Sequence, residues 1–152
     1  MTTLEEMVSL AKEEAKEIIE VFGQEHEPIL LMDTPDGFAV LRPTASSPIL
    51  QGLLRKFNAY RYVFIAEAWM TRLLNDSPNL GRLERGEIAV SQLPPDDRSE
   101  ILQIVAQERG NPPTIYTYEI DNTGQGRRLG QERVFSNEPG QILVGRIILE
   151  DW

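Results

Sequence analysis

Tyr60-Arg61-Tyr62-Val63-Phe64-Ile65-Ala66-Glu67-Ala68-Trp69-Met70 is the stretch on which the fold turns. Read alternately, both of its rows are largely apolar, the pattern of a central strand covered on both faces. A strand with one face in water would keep one row polar.

Working outward towards the N-terminus, Ser47-Pro48 opens a second helix through about Phe57, with Ile49, Leu50, Leu53, Leu54 and Phe57 along one side. Before it, Pro28–Asp33 and Phe38–Arg42 flank Thr34-Pro35-Asp36-Gly37. Pro sets one φ and Gly permits a positive one, so this is a β-hairpin. At the start of the chain, Leu4, Met7, Val8, Ala11, Ala15, Ile18, Ile19 and Phe22 recur at three- and four-residue steps. That periodicity predicts an amphipathic helix over residues 3–22, opened by Thr2 or Thr3 with a glutamate three positions on and closed by Gly23. Its apolar face is expected on the sheet, with a partner helix as the alternative.

Towards the C-terminus, residues 75–98 are polar and turn-rich and read as a surface crossing that holds at most a short strand at Glu87–Gln92. Glu100–Glu108 fits either a helix, by its proline and glycine boundaries, or a strand, by its β-branched content; strand is preferred. Thr114–Ile120 and Arg127–Phe135 read as strands around the turn at 121–126, and Ile142–Leu149 as another after Asn137-Glu138-Pro139-Gly140. Short turns between consecutive strands imply antiparallel pairing. The expectation is one α+β domain over 1–152: a mainly antiparallel sheet of about five to six strands, the N-terminal helix, and a second helix packed on it.

Composition narrows the function more than it names it. With one histidine and no cysteine in 152 residues, thiol chemistry is impossible, and any histidine-based site within one chain must use His26. The net charge is −9, and residues 1–27 hold eight glutamates against Lys12 and Lys16, so the acidity belongs mostly to the first helix. Such a field repels phosphate backbones and makes nucleic acid an unfavoured partner. No apolar run reaches the 18 or so residues of a membrane helix, and no basic-then-apolar leader opens the chain; the cytoplasm is the expected location. Twelve arginines against three lysines suit bidentate carboxylate pairs.

Five residues stand out as candidates. Glu67 is a carboxylate in an apolar strand, expensive to bury unless paired and, if buried, a candidate for acid–base work. The plain alternative is a position near a strand end, or an ion pair with an arginine such as Arg61, on the same row, or Arg109. Trp69 shares that row and would wall a ligand pocket, with Arg61 as a second ligand-binding candidate. Glu67, Glu100, Glu108 and Glu119 lie on segments expected to be sheet neighbours; two converging carboxylates would serve as an acid–base pair or hold Mg²⁺, which makes Glu119 the second catalytic candidate. His26, between Glu25 and Glu27, is the one metal candidate, although adjacent residues rarely converge on one ion and an exposed surface triplet is the simpler reading. Gly124-Gln125-Gly126-Arg127-Arg128-Leu129-Gly130 misses phosphate-loop spacing and reads as a hairpin turn, its two arginines pointing to opposite faces. Tyr60, Tyr62 and Phe64 are read as core rather than as an RNA-stacking face.

These observations imply no cofactor and favour a non-catalytic protein-interaction or assembly module, with self-association or a protein partner. Trp152 after the apolar Ile142–Leu149 run would supply an exposed anchor. A carboxylate-dependent enzyme, with or without Mg²⁺, or a small-ligand sensor near Glu67 and Trp69 is the alternative.

Overall fold

The computed structural model describes residues 3–43, 47–70, 77–124, 126–136 and 152. Six strands form one antiparallel sheet in the order β2-β1-β3-β4-β5-β6. They are β1 (Ile29–Thr34), β2 (Gly37–Leu41), β3 (Arg61–Met70), β4 (Ser99–Glu108), β5 (Thr114–Asp121) and β6 (Arg128–Ser136). Every neighbouring pair except β1–β3 is consecutive in the chain.

The two apolar rows of β3 are each covered by a helix. On one face α1 (Leu4–Lys16) sets Met7, Val8, Ala11 and Ala15 against Leu31, Val63, Ile65, Leu102 and Ile104. On the other, α2 (Ser47–Lys56) sets Leu50 and Leu54 against Leu30, Met32, Tyr62 and Phe64. Because strand side chains alternate, neighbouring residues of β3 serve different cores. The sheet is therefore the middle layer of three.

Local chemistry accounts for the ends. Thr3 caps α1 by accepting from the Glu6 N–H at 3.2 Å, so the second of the two expected capping pairs is the one used. The helix widens into a π-helical turn over Glu17–Val21 and stops where Gly23 takes φ +63°. In the β1–β2 turn the Thr34 hydroxyl donates to the Gly37 carbonyl at 2.7 Å, and Gly37 sits at φ +120°, open to glycine and strained for other residues.

Residues 100–108 are strand, as preferred: β4 pairs with β3 over ten positions, from Arg61↔Glu108 to Met70↔Ser99. Ladder pairing on both sides decides what periodicity left open. The 77–98 crossing departs from expectation. It holds no strand at Glu87–Gln92; it forms α3 (Pro78–Glu84), begun by Ser77 and Pro78, and short 3-10 turns at Val90–Gln92 and Pro95–Asp97. Proline at a first helical position is well suited to starting a helix there. The expected strand at Ile142–Leu149 and the turn before it lie outside the described residues.

Trp152 is not an exposed anchor. Its indole N–H donates to the Ala59 carbonyl at 2.9 Å, and its ring meets Tyr62 edge-on at 5.2 Å between centroids. The Tyr62 hydroxyl, whose pKa burial pushes up, donates to Gln107 at 2.8 Å within the same core. An apolar indole finds both burial and a hydrogen-bond acceptor inside this chain, which an external partner would have to match.

Candidate functional site

Glu67 occupies the α1 face of β3, one step along the row from Ile65 and beyond the stripe that the helix covers. Residues following Gly23 pass over it on their way to β1, and the His26 backbone N–H donates to Glu67 Oε2. From the opposite side, the turn between β5 and β6 delivers Arg127, whose guanidinium grips both Glu67 oxygens. Only 7% of the Glu67 side chain is exposed. The expense of burying a carboxylate in an apolar strand is thus met by pairing, but with Arg127 rather than Arg61 or Arg109.

Arg127 holds more than one partner. It donates to Glu100 at 3.0 Å, to the Gln24 carbonyl at 2.7 Å and to Asn122 at 3.1 Å. Asn122 in turn donates to the second Glu100 oxygen at 3.0 Å. One planar fork therefore joins β3, β4, the segment after α1 and the β5–β6 turn. Two carboxylates share this single cation. Glu100 is held above the ordinary carboxyl range, first by burial and next by Glu67, against the pull of Arg127. Arg127 is pushed further up, mainly by its bond to Glu67.

Above this clasp opens a cleft of about 460 Å³ lined by Glu25, Glu67, Trp69, Glu100, Asn122 and Arg127, among others. Three carboxylates and one guanidinium line the cleft, so its lining is acidic, with a second guanidinium, that of Arg98, close by on Trp69. Trp69, 42% exposed, forms one wall and stacks under the Arg98 guanidinium at 4.3 Å. Phe22 and Val21, immediately before the lining residue Gly23, are 61% and 72% exposed. An acidic floor with an aromatic wall suits a positively charged ligand, since both attract cations.

The other candidates are placed elsewhere. Glu119 projects from the opposite face of the sheet, beside a smaller cleft of about 110 Å³ with Met70, Asp96, Asp97 and Ser99. Glu108 lies at the far end of β4, 3.2 Å from Arg61, which also pairs with Asp33. Of the four glutamates expected to be neighbours, the fold brings together Glu67 and Glu100 and separates the other two. Arg61 is bound up in its own ion network, far from Glu67 along the strand. Arg109 donates to Asn58 at 2.8 Å, at that same far end.

His26 is buried, 1% exposed, whereas its segment read as a surface triplet. Its Nδ1 lies 2.8 Å from the Glu27 carbonyl oxygen, and its Nε2 has no partner among the described residues. Docking of the segment on Glu67, which no local pattern announces, takes the imidazole inside. Among the described residues no group of three or more His, Asp or Glu is arranged to hold a metal ion. Tyr62 and Phe64 are core residues, so the Tyr60–Phe64 run presents no exposed stacking face.

Two contributors escaped the sequence. Asn122 and Arg127 both sit in a turn with hairpin composition, and Arg127 precedes β6 rather than lying in it. The alternation argument that set Arg127 and Arg128 on opposite faces does not apply to a turn residue free to fold back over the sheet. No protein-family model, curated protein or solved structure matches this chain, so its site is read from its own geometry.

Proposed function

We propose that this protein is a non-catalytic interaction module that receives a basic segment of a protein partner at the Glu25–Trp69 cleft. The observation that carries the reading is the state of Glu67. The carboxylate best placed for chemistry already accepts from the His26 N–H and from two guanidinium N–H groups, which leaves it neither a ready base nor a ready ligand. Around it the surface offers recognition groups instead: Glu25, the Trp69 wall, and the exposed Phe22 and Val21. Aromatic and apolar centres with a charged surround are the make-up of interaction hot spots. A cysteine-free chain whose described helices are all too short and polar to cross a membrane suits work in the cytoplasm.

The test uses the chain's own fluorophores. Trp69 and Trp152 are its two tryptophans, and they lie on opposite faces of the sheet. In a Trp152→Phe background, a tetra-arginine peptide should produce a saturable change in Trp69 emission that tetra-glutamate does not. Glu25→Lys, at an exposed position, should abolish the response with the fold intact. No saturable response to tetra-arginine up to about millimolar concentration would sink the reading.

One observation favours a second reading. Glu100 lines the cleft and its carboxyl is held above the ordinary range, first by burial, which is the direction a general acid needs. On that reading the protein is a carboxylate-dependent enzyme with Glu100, not Glu67 or Glu119, as the acid. A Glu100→Gln chain that keeps full affinity for a ligand but loses its turnover would favour it over the interaction module.

A further inference from the structure

The two outer strands of the sheet are built differently. β6 carries Arg128, Glu132 and Arg133, and its pairing with β5 is interrupted by a register shift between Tyr118 and Ile120. Charges and bulges of this kind keep an edge from pairing with another chain. β2 reads Gly37-Phe38-Ala39-Val40-Leu41, with no charge, no proline and no register shift against β1. Phe38 and Val40 are 47% and 55% exposed, on the face that α1 covers further in.

The direction of the free backbone groups follows from the ladder. The Asp33 carbonyl accepts from the Tyr60 N–H at 2.8 Å, so Asp33 turns its backbone towards β3. Its β2 partner is Phe38, whose N–H and C=O then point away from β1, as do those of Val40 two residues on. These groups have no strand beyond them among the described residues.

We propose that β2 pairs with β2 of a second copy of this chain, antiparallel about a two-fold axis at Ala39, to make one continuous twelve-stranded sheet from the two six-stranded ones. The strand is self-complementary in this register. Phe38 meets Val40 of the other copy as a hydrogen-bonded pair, closing the outward N–H and C=O groups and covering both apolar side chains. Leu41 falls opposite Gly37, bulk against space. Ala39 faces its own copy as a non-hydrogen-bonded pair. Each chain carries a net charge of −9, but none of it lies on this strand, so added salt screens the long-range repulsion and strengthens the pairing.

Sedimentation and native mass spectrometry of the full chain at micromolar concentration test this. The wild type should be dimeric, more so in salt, and Val40→Lys should weaken the dimer about tenfold or more while leaving the melting temperature of the monomer unchanged. Register is read by crosslinking, because the chain has no cysteine of its own. Ala39→Cys places two thiols across a pair with Cα atoms about 4.5 Å apart, within disulfide reach, and should oxidise to a covalent dimer. Phe38→Cys separates them diagonally by about 7–8 Å and should not. A wild-type monomer throughout the micromolar range overturns the proposal, as does a dimer indifferent to Val40→Lys or one that crosslinks equally at both positions.

Discussion

At each end of β3 an arginine sits between two carboxylates, and the two trios are held together in different ways. Arg61 pairs with Asp33 and Glu108, which are its own register partners on the two flanking strands. That trio is a row across the ladder, and once strand pairing is set its members cannot avoid one another. Arg127 reaches Glu67 and Glu100 from a turn, together with the Gln24 carbonyl and Asn122. Only Glu67 and Glu100 belong to paired strands there. The first trio reports the register of the sheet; the second fastens two otherwise separate pieces of chain, the segment after α1 and the β5–β6 turn, over one end of it. Burial differs too, with Glu67 at 7% exposure and Glu108 at 40%. A charge left unpartnered can return to water at Glu108 but not at Glu67.

That difference is open to direct attack. The largest effect is expected from Arg127→Ala, which strands a buried carboxylate: about 3 kcal/mol lost in urea unfolding. Adding Glu67→Gln should recover much of the loss, because it is the orphaned charge and not the missing side chain that destabilises. If the double variant is no more stable than the single, the clasp owes its strength to packing instead.

Arg61→Ala should lose about 1–2 kcal/mol, since Asp33 and Glu108 are partly exposed and can be rehydrated. A loss equal to that of Arg127→Ala would erase the contrast between the two ends.

Glu100 sharpens the comparison through pH. Its folded-state pKa is raised, so the stability it contributes is complete below its ordinary value of 4.5 and fades as pH rises through the folded value. Glu100→Gln should therefore gain stability relative to wild type as pH is raised from about 4.5 towards neutral. Thermal melts across that range that stay parallel would contradict the shared-cation picture.

The smallest effect belongs to a pair outside both trios. Lys12 reaches Glu132 at 2.9 Å with about a third of each side chain exposed, and Lys12→Ala should change stability by only about 0.5 kcal/mol in the same urea assay. The Glu132 carboxyl is held low, first by the Tyr118 hydroxyl and then by Lys12, so this small contribution is present at neutral pH and disappears on acidification through its lowered pKa.

Legibility followed the range of the interaction that decided each element. The first helix, the Pro35-Asp36-Gly37 turn and the double-faced β3 depend on neighbours within a few residues, and their composition announces them. Glu67 was conspicuous because a charge inside an apolar run is conspicuous in one dimension. Its partner was not, because Arg127 lies sixty residues away in a turn whose composition said only that the chain reverses. His26 illustrates the same limit in reverse: Glu25 and Glu27 on either side suggested water, while docking onto β3 put the ring inside. Residues 77–98 misled for a local reason, since a short helix opened by Ser77-Pro78 has too few apolar positions to show a period.

By itself, then, the sequence determined the type of most elements and which of their faces are apolar, because periods of two and of 3.6 are properties of the chain. It also determined what chemistry is impossible, since a missing cysteine stays missing in any fold. Only the tertiary structure decided which charges meet. A guanidinium on a turn chooses among carboxylates by where the turn lands, and that landing point is set by sheet order, register and the path of residues 23–28. None of these has a signature in the residues that finally touch.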